Sequence, residues 1–450
     1  VIRSILSVRR LSLLALLALL LPLIAACGGA PSTPTGAAAP SPAAESPAAT
    51  GATTKLTMLT HWGAQEYLDV MQPLIEECQQ QIPGLTVEHQ TVDFNNLLTR
   101  ITTGRLGGAV PDIYHLYNLW LPDFVPSDLL AAPPDDVVAD IQQGYSASTV
   151  AGSSYNGQVW GYPTEVNTYQ LIYNKQLLAE AGVDKAPETW AELREAAQKT
   201  TKRSGDTVEQ AGFLLIKGWD SGVVHPWTTL LWSNSGAYVN DDHTAVRFNE
   251  QPGVEALQLQ LDMISDGSVD LALTQEDFVA GKIAMTIMAN WWGSALRAGL
   301  PGGIENVGVA PIPHGEGGQS TTVQYNWLWG VDKNSPNAEV AWQFLKCMNS
   351  PRADGSGTPT GTFLTQGLNA IPAHLEDQKA HAAQLGDAFV KPFVDSLATA
   401  RTEPIIPGAQ EIKTALQKQI EAAWFGEKSA QDALNTAADE ANRILQEKGQ

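Results

Sequence analysis

Between Lys55 and Tyr114 the chain alternates two hydrophobic periods, and this alternation limits its possible folds more than any other feature. Lys55–Thr60 (KLTMLT) mixes apolar and polar residues with the short period of a half-buried strand. Tyr67, Leu68, Met71, Leu74, Ile75 and Cys78 then recur at helical spacing over residues 64–81, up to the stop at Pro83-Gly84. Pro73 inside that stretch predicts a kink or a late helix start, because its ring removes a backbone donor and crowds the preceding turn. LTVEHQTV at 85–92 reads as a second strand. A helix through Leu97, Leu98 and Ile101 follows, ending near Gly104, and Pro111-Asp112-Ile113-Tyr114 opens a third strand. Strand, helix, strand, helix, strand implies a mostly parallel sheet covered by helices, since parallel neighbours need a crossover connection.

Later segments continue in the same style. Thr189-Trp190-Ala191-Glu192 forms a capping box and opens a helix that carries Trp190, Leu193 and Ala197 inward. Residues 253–265 place Val254, Leu257, Leu261 and Ile264 on one stripe, stopped by Asp266-Gly267. Lys282–Ala289 (KIAMTIMA) is rich in strand formers, and Ser429–Asp432 caps a last helix through Leu434, Ala438, Ala441 and Leu445. No internal repeat of fixed period is present. A length of 450 residues fits two domains, or two lobes sharing one chain. The net charge of −21 would be repelled by a phosphate backbone and argues against nucleic-acid partners.

The N-terminal stretch reads as an address. Arg3, Arg9 and Arg10 precede an apolar run from Leu11 to Ile24, too short to span a bilayer comfortably and shaped like a signal h-region. It ends in Ile24-Ala25-Ala26-Cys27-Gly28, which resembles the lipobox of bacterial lipoproteins, in which the cysteine thiol is acylated and becomes the new N-terminus. The alternative is a plain secretory signal. Residues 1–26 are thus expected to be a signal peptide, and 27–54 the lipidated Cys27 followed by a flexible Gly/Ala/Pro/Ser/Thr tether that cannot build a core. The other two cysteines, Cys78 and Cys347, read as buried thiols on apolar helix stripes, with a disulfide as the alternative.

Catalytic patterns are scarce. Gly218-Trp219-Asp220-Ser221-Gly222 lacks the spacing of a nucleophile elbow. Gly281-Lys282 lacks the upstream glycine of a phosphate-binding loop, and no H-E-x-x-H pair occurs among the eight histidines. His374 and His381 read as solvated surface residues rather than metal ligands. No metal or cofactor is expected, and the abundant carboxylates leave a glycosidase pair open, though no local motif singles one out. The abundant residue is tryptophan, with 13 copies. Several stand beside polar groups at expected strand ends: His61-Trp62-Gly63, Tyr117-Asn118-Leu119-Trp120, His225-Pro226-Trp227, Trp232-Ser233-Asn234, Asn290-Trp291-Trp292 and Asn326-Trp327. Loops after the carboxyl ends of strands line the ligand crevice of an α/β lobe. An indole covers the C–H face of a pyranose, while amides and carboxylates bond its hydroxyls. Trp190 and Trp342 read as core. Of Trp291 and Trp292, one ring is expected in the core and the other exposed.

Several ordered segments resemble the extracellular solute-binding proteins of bacterial ABC importers, in the carbohydrate-binding branch that includes maltose-binding protein. Leu97–Asp112 (LLTRITTGRLGGAVPD) is similar to that family's helix, glycine turn and Pro-Asp. Val159–Thr200 carries its strand, Tyr173-Asn174-Lys175, the Ala181-Gly182 turn and the T-W-x-E-L run. Asp277–Trp292 (DFVAGKIAMTIMANWW), Val307–Pro313, Asn334–Leu345 and Glu403–Leu445 resemble later family segments in the right order.

The resemblance implies an α/β fold of two periplasmic-binding-protein-like lobes, each a mostly parallel sheet flanked by helices, with ligand in the cleft between. Lobe one would hold 55–165 plus 307–375, and lobe two 166–306 plus 376–450. It also implies hinge closure on a sugar or oligosaccharide and delivery to ABC permease subunits by a monomer held at the outer face of the membrane or in the periplasm. By position, Asn167 matches a sugar-bonding carboxylate of the maltose-type proteins, and Trp227 and Trp291 match stacking aromatics. Trp62, Tyr117, Asn118, Asn326, Trp327, Arg401 and Glu403 fall near further contacts. Glu165 is either a cleft residue or a structural carboxylate of the crossing segment. Alternatives are a receptor for another polar solute, such as a glycerol phosphodiester or polyamine, and an extracytoplasmic carbohydrate-active enzyme.

Overall fold

The computed structural model describes residues 53–108, 110–205 and 207–449. The leader, Cys27 and nearly all of the tether lie outside them. The expected alternation is present as β1 (Thr54–Thr60), α1 (Gln65–Gln81), β2 (Leu85–Thr91), α2 (Phe94–Leu106) and β3 (Ile113–Tyr117). β1 pairs in parallel with both β2 and β3. The Asp112 carboxylate fixes the last pairing, accepting from the Thr57 amide at 2.8 Å and the Thr57 hydroxyl at 2.9 Å. α1 buries Met71, Leu74, Ile75 and Cys78, the stripe its spacing predicts. It does not start late: Pro73 sits in its interior.

β3 lies antiparallel to the strand Val323–Val331, which lies antiparallel to the 13-residue strand Tyr162–Asn174. The first half of that long strand pairs with Val323–Val331. Its second half pairs with Ile283–Ala289 and Val307–Ala310. Ile283–Ala289 then carries Thr207–Leu214 in parallel. Parallel pairs thus stand on either side of antiparallel crossing strands. The chain forms two α/β lobes joined through Tyr162–Asn174 and Val323–Val331, and Asn167-Thr168 marks the point where the long strand changes partners.

Two apolar clusters hold this arrangement. One joins Leu56, Met58, Met71 and Ile75 to Trp329, Trp342 and Phe363. The other joins Tyr169, Phe213, Trp227, Leu257 and Met285 to Leu416 and Leu434 of the last two helices, Ala409–Trp424 and Ala430–Lys448. Each fully buried large apolar side chain contributes about 1.5–3 kcal/mol. The capping box is made: the Glu192 amide donates to Thr189 Oγ1 at 3.2 Å, and the Thr189 amide to Glu192 Oε2 at 3.1 Å. Ser429 Oγ caps the final helix by accepting from the Asp432 amide, and Leu434, Ala438, Ala441 and Leu445 are buried.

Three expectations need correction. Cys78 and Cys347 are not free thiols; they form a disulfide joining α1 to the helix Ala338–Asn349, with Cα atoms 5.8 Å apart. The helix Gln251–Ser265 buries Ala256, Leu257, Leu259, Gln260 and Met263, while Val254, Leu261 and Ile264 flank that face half-buried. Its packing is turned toward Trp424, whose indole N–H donates to Gln260 Oε1 at 2.9 Å. His374 and His381 are buried rather than solvated, and His374 Nδ1 accepts from the Glu376 amide at 3.1 Å. No described helix is long and apolar enough to cross a membrane.

Candidate functional site

A cavity of about 670 Å³ opens between the two lobes. Three strand ends supply its walls: His61 and Trp62 follow β1, Tyr117 ends β3, and Trp291 and Trp292 follow Ile283–Ala289. The crossing strands supply its floor. Glu165 and Asn167 are two apart on one strand, Tyr325 and Trp327 two apart on the other, so each pair shares a sheet face. Tyr325 and Asn167 are direct cross-strand partners. Phe94 comes from the start of α2, and Trp219 and Ser221 from the start of the helix Asp220–Ser233. Gln275 and Glu276 come from the turn of helix Gln275–Val279.

The aromatic rings form a connected wall. Trp327 lies 4.7 Å from His61, 4.7 Å from His115 in a near-parallel stack, and 5.3 Å from Tyr117. Trp62 packs 4.1 Å from His115 and 4.6 Å from Phe363. Trp219 bridges the lobes, 6.4 Å from Phe94 and 6.2 Å from Trp291. The Trp291 indole N–H donates to the Tyr325 hydroxyl at 2.9 Å, which sets its ring plane. Flat apolar faces with few, fixed polar groups are the composition of a small-molecule site.

Burial disfavours the charged forms of Glu165, His61 and the neighbouring His115, whereas the Thr274 hydrogen bond lowers the Glu276 carboxyl. Glu165 is buried, accepts from the Thr164 hydroxyl, and has Oε2 3.5 Å from His115 Nε2. Burial pushes its carboxyl up to about 7, against the opposing hydrogen bond from Thr164 and the charge of His61. Burial, then the neighbouring His115, pull His61 down to about 3, with Glu165 opposing. Burial also holds His115 well below its ordinary value. His61 Nδ1 is buried and has no hydrogen-bond partner among the described residues. Asn167 Oδ1 accepts from Asn290 Nδ2 at 3.1 Å, and Asn290 Oδ1 accepts from the Thr168 amide at 3.2 Å. This pair ties the strand crossing to the Trp291 turn.

Behind Tyr117 lies a buried ionic cluster. Lys413 is fully buried, with Nζ 3.0 Å from Glu403 Oε1, 3.0 Å from the Tyr117 hydroxyl and 2.7 Å from His225 Nε2. The Tyr117 hydroxyl donates to Glu403. Burial raises the Glu403 carboxyl, but its neighbours' charges and hydrogen bonds outweigh this and hold it well below the usual carboxylate range. The cluster fixes the Tyr117 ring from behind, with Nζ also 4.9 Å from the ring centre.

Residues 64–355 match the sequence profile described as "Bacterial extracellular solute-binding protein". The chain belongs to this family. A binding protein of Brucella abortus is 28% identical over 84% of the chain and 92% of its own length. The arabinooligosaccharide-binding protein of Bacillus subtilis is 24% identical over 65% of the chain and 68% of its own length. The GacH receptor of Streptomyces glaucescens, solved unliganded and with acarbose, superposes with a TM-score of 0.76 at 23% identity, covering 88% of the chain and 99% of the receptor.

In this solute-binding protein, six of the eleven residues expected at the site line the cavity: Trp62, Tyr117, Glu165, Asn167, Trp291 and Trp327. The other five do not. Trp227 is fully buried within the helix Asp220–Ser233, 6.2 Å from Phe248, and is a core residue. Asn118 is buried and donates to the Gly152 carbonyl at 3.1 Å. Asn326 alternates with Tyr325 and Trp327, so it faces the opposite side of its strand, toward Thr149 and Gln324. Arg401 is exposed, 6.0 Å over the Trp232 ring. Glu403 is the carboxylate of the ionic cluster, one residue behind the wall.

Two motifs expected at strand ends, His225-Pro226-Trp227 and Trp232-Ser233-Asn234, instead fall in or at the end of that one helix. It is buried along nearly its whole length, so no polar face marks it as helical. Asn326-Trp327 lie inside a strand, not after it. Trp291 is half-buried and Trp292 is buried against Phe278, yet both line the cavity, so the pair does not divide into one core and one exposed ring. Trp342 is buried, while Trp190 is only half-buried and donates to the Pro313 carbonyl at 3.1 Å. Sequence reasoning missed His61, Phe94, Trp219 and Tyr325 at the cavity. Tyr325 was findable, standing two residues before Trp327 on the same strand face. Trp219 opens a helix whose other residues are core and carries no comparable signal.

Proposed function

We propose that the chain is a receptor for a neutral saccharide, probing the outside of the cell from a lipid anchor at Cys27 and delivering its ligand unaltered to the permease of an ABC importer. The observation that carries this reading is the cavity wall. Indole and phenol faces from both lobes converge there with Glu165, Asn167, Gln275 and Glu276, and no Lys or Arg is among the described residues lining it. A pyranose presents two apolar faces and a rim of hydroxyls, and this wall complements both. A glycerol phosphodiester would lack a cationic partner here. A polyamine would meet two carboxyls, Glu276, held below its ordinary value by its hydrogen bond with Thr274, and Glu165, pushed up to about 7 by burial, so it is the runner-up that the ligand screen must exclude. The arabinooligosaccharide receptor and the acarbose-bound receptor among its relatives support the same ligand class.

In this reading lobe one takes 55–165 plus 307–375 and lobe two 166–306 plus 376–450, except that the stretch from Val307 to His314, paired with Leu171–Asn174 and bonded to Glu188 and Trp190, goes with lobe two. The crossing strands act as the hinge, and ligand drives closure through contacts available only when both walls meet it. A thermal-shift screen of the purified protein against mono- and oligosaccharides tests the reading, because a ligand of the folded form raises Tm by mass action. A rise with at least one neutral sugar is expected, with no reducing ends released on prolonged incubation. A rise with glycerol phosphodiesters or polyamines alone refutes the sugar assignment, and released reducing ends would make it an enzyme.

A further inference from the structure

A second cavity of about 320 Å³ adjoins the first, and Ala370 lines both. The segment Leu368-Asn369-Ala370 is the sill between them. Leu368 and Ala370 face the aromatic cavity, Asn369 and Ala370 the second one. Asn369 holds a left-handed backbone, φ +52°, a conformation that Asn tolerates better than most L-residues.

The chemistry changes across this sill. No aromatic residue lines the second cavity. Its polar side chains are Asn369, Gln384, Thr365 and the Arg297–Asp387 ion pair, whose nitrogen and oxygen lie 3.3 Å apart. Thr365 spends its hydroxyl on the Gly361 carbonyl at 2.8 Å. The side-chain amides of Asn369 and Gln384 have no hydrogen-bond partner among the described residues, so both can donate and accept outward. The Arg297–Asp387 pair offers a planar donor fork beside a carboxylate, a match for neighbouring hydroxyls.

We propose that this second cavity is a subsite for the outer units of an oligosaccharide whose inner units lie against the tryptophans. The proposal rests on the saccharide reading of the main cleft and adds chain length to it. Ala370, whose small side chain borders both cavities, is the point where the chain would pass from one to the other. Beyond the sill the ligand trades ring stacking for hydrogen bonds to its hydroxyls. Affinity therefore depends on length, and the dependence resides in Asn369 and Gln384 rather than in the tryptophans.

The test is calorimetric titration of the full chain in detergent with linear malto-, manno- and arabinooligosaccharides of two to six units. The comparison is with a double variant, Asn369→Gly and Gln384→Ala. Glycine keeps the left-handed backbone while removing the amide, and Gln384 is exposed, so both changes spare the fold. In the series that binds, the wild type is expected to gain about tenfold or more in affinity between two units and the longer members. The double variant should lose that gain while holding the two-unit ligand within about twofold. Trp291→Ala, by contrast, should weaken every length. Equal affinity at all lengths in the wild type overturns the subsite and leaves the main-cleft reading standing. So does a double variant that weakens the two-unit ligand as much as the longest. If no series binds, the saccharide reading itself falls and takes the subsite with it.

Discussion

Replacing Glu165 by glutamine should remove a specific part of the protein's pH dependence. The carboxyl is buried between the Thr164 hydroxyl and His115, with His61 the other titrating group facing it. Burial raises it from its ordinary 4.5 to about 7. The folded state therefore holds this proton more tightly than the unfolded chain does. Its stabilising contribution is fully present below pH 4.5 and is lost as pH rises through about 7. At about 1.4 kcal/mol per pH unit, that gap bounds the effect at about 3 kcal/mol. His61 and His115 act with the opposite sign. They are buried neutral, and their contribution is lost as pH falls below their unfolded value toward about 3 for His61. The wild-type curve alone would mix these terms, so the measurement is a difference. Urea melts at pH 5, 6, 7 and 8 give unfolding free energies for both proteins. Between pH 5 and 8 the wild type should lose about 2–3 kcal/mol relative to Glu165→Gln, since glutamine keeps shape and hydrogen bonding but cannot ionise. Two curves running parallel to within about 0.5 kcal/mol would refute the reasoning, because a carboxyl with an ordinary affinity for protons adds no slope here.

Trp291→Ala should weaken saccharide binding by about 1–3 kcal/mol in calorimetry, the usual range for truncating an aromatic anchor; unchanged affinity removes Trp291 from the site. Cys78→Ser should lower stability by about 2–4 kcal/mol in urea melts, and reductant should lower the wild type by a similar amount while leaving the variant unmoved. Lys413→Met strands the Glu403 carboxylate in the interior and should cost about 3–5 kcal/mol. Adding Glu403→Gln should recover much of that loss, and a double variant no better than the single would show that the charge pairing is not what matters. Cys27→Ala should move the protein from the membrane pellet to the soluble fraction, and retention in the pellet contradicts lipid anchoring there.

The fold was legible wherever one side of an element meets water. β1, α1, the capped helix after Thr189 and the last helix each have a polar face against a buried one, so the period of the apolar residues names the element and its inner side. That signal disappears in the interior. Tyr162–Asn174 is buried at every position except Tyr173, and Asp220–Ser233 at every position after Asp220, so neither shows a period. Trp227 therefore reads the same in sequence whether it faces a ligand or Phe248. The disulfide was hidden for a related reason. Cys78 and Cys347 sit on stripes that predict burial, and 269 residues of intervening chain leave their distance undetermined until both helices are placed.

The site was legible only where sequence adjacency carries geometry. His61-Trp62 and Asn290-Trp291 end strands, and the parallel arrangement places such ends at one edge. Alternation along Val323–Val331 decides that Trp327 faces the cavity while its neighbour Asn326 does not, once one of the two is known to face it. Glu403 shows what alternation cannot reach. It lies far along the chain from Tyr117, yet accepts a hydrogen bond from its hydroxyl and stabilises buried Lys413. An ion pair so enclosed survives only because each partner has further hydrogen bonds, so the lysine, the glutamate and the tyrosine must be placed together. The cleft wall is for this reason rigid at Tyr117. Trp219, by contrast, has no such backing, so a guest that needs the wall to adjust is expected to move that ring rather than Tyr117.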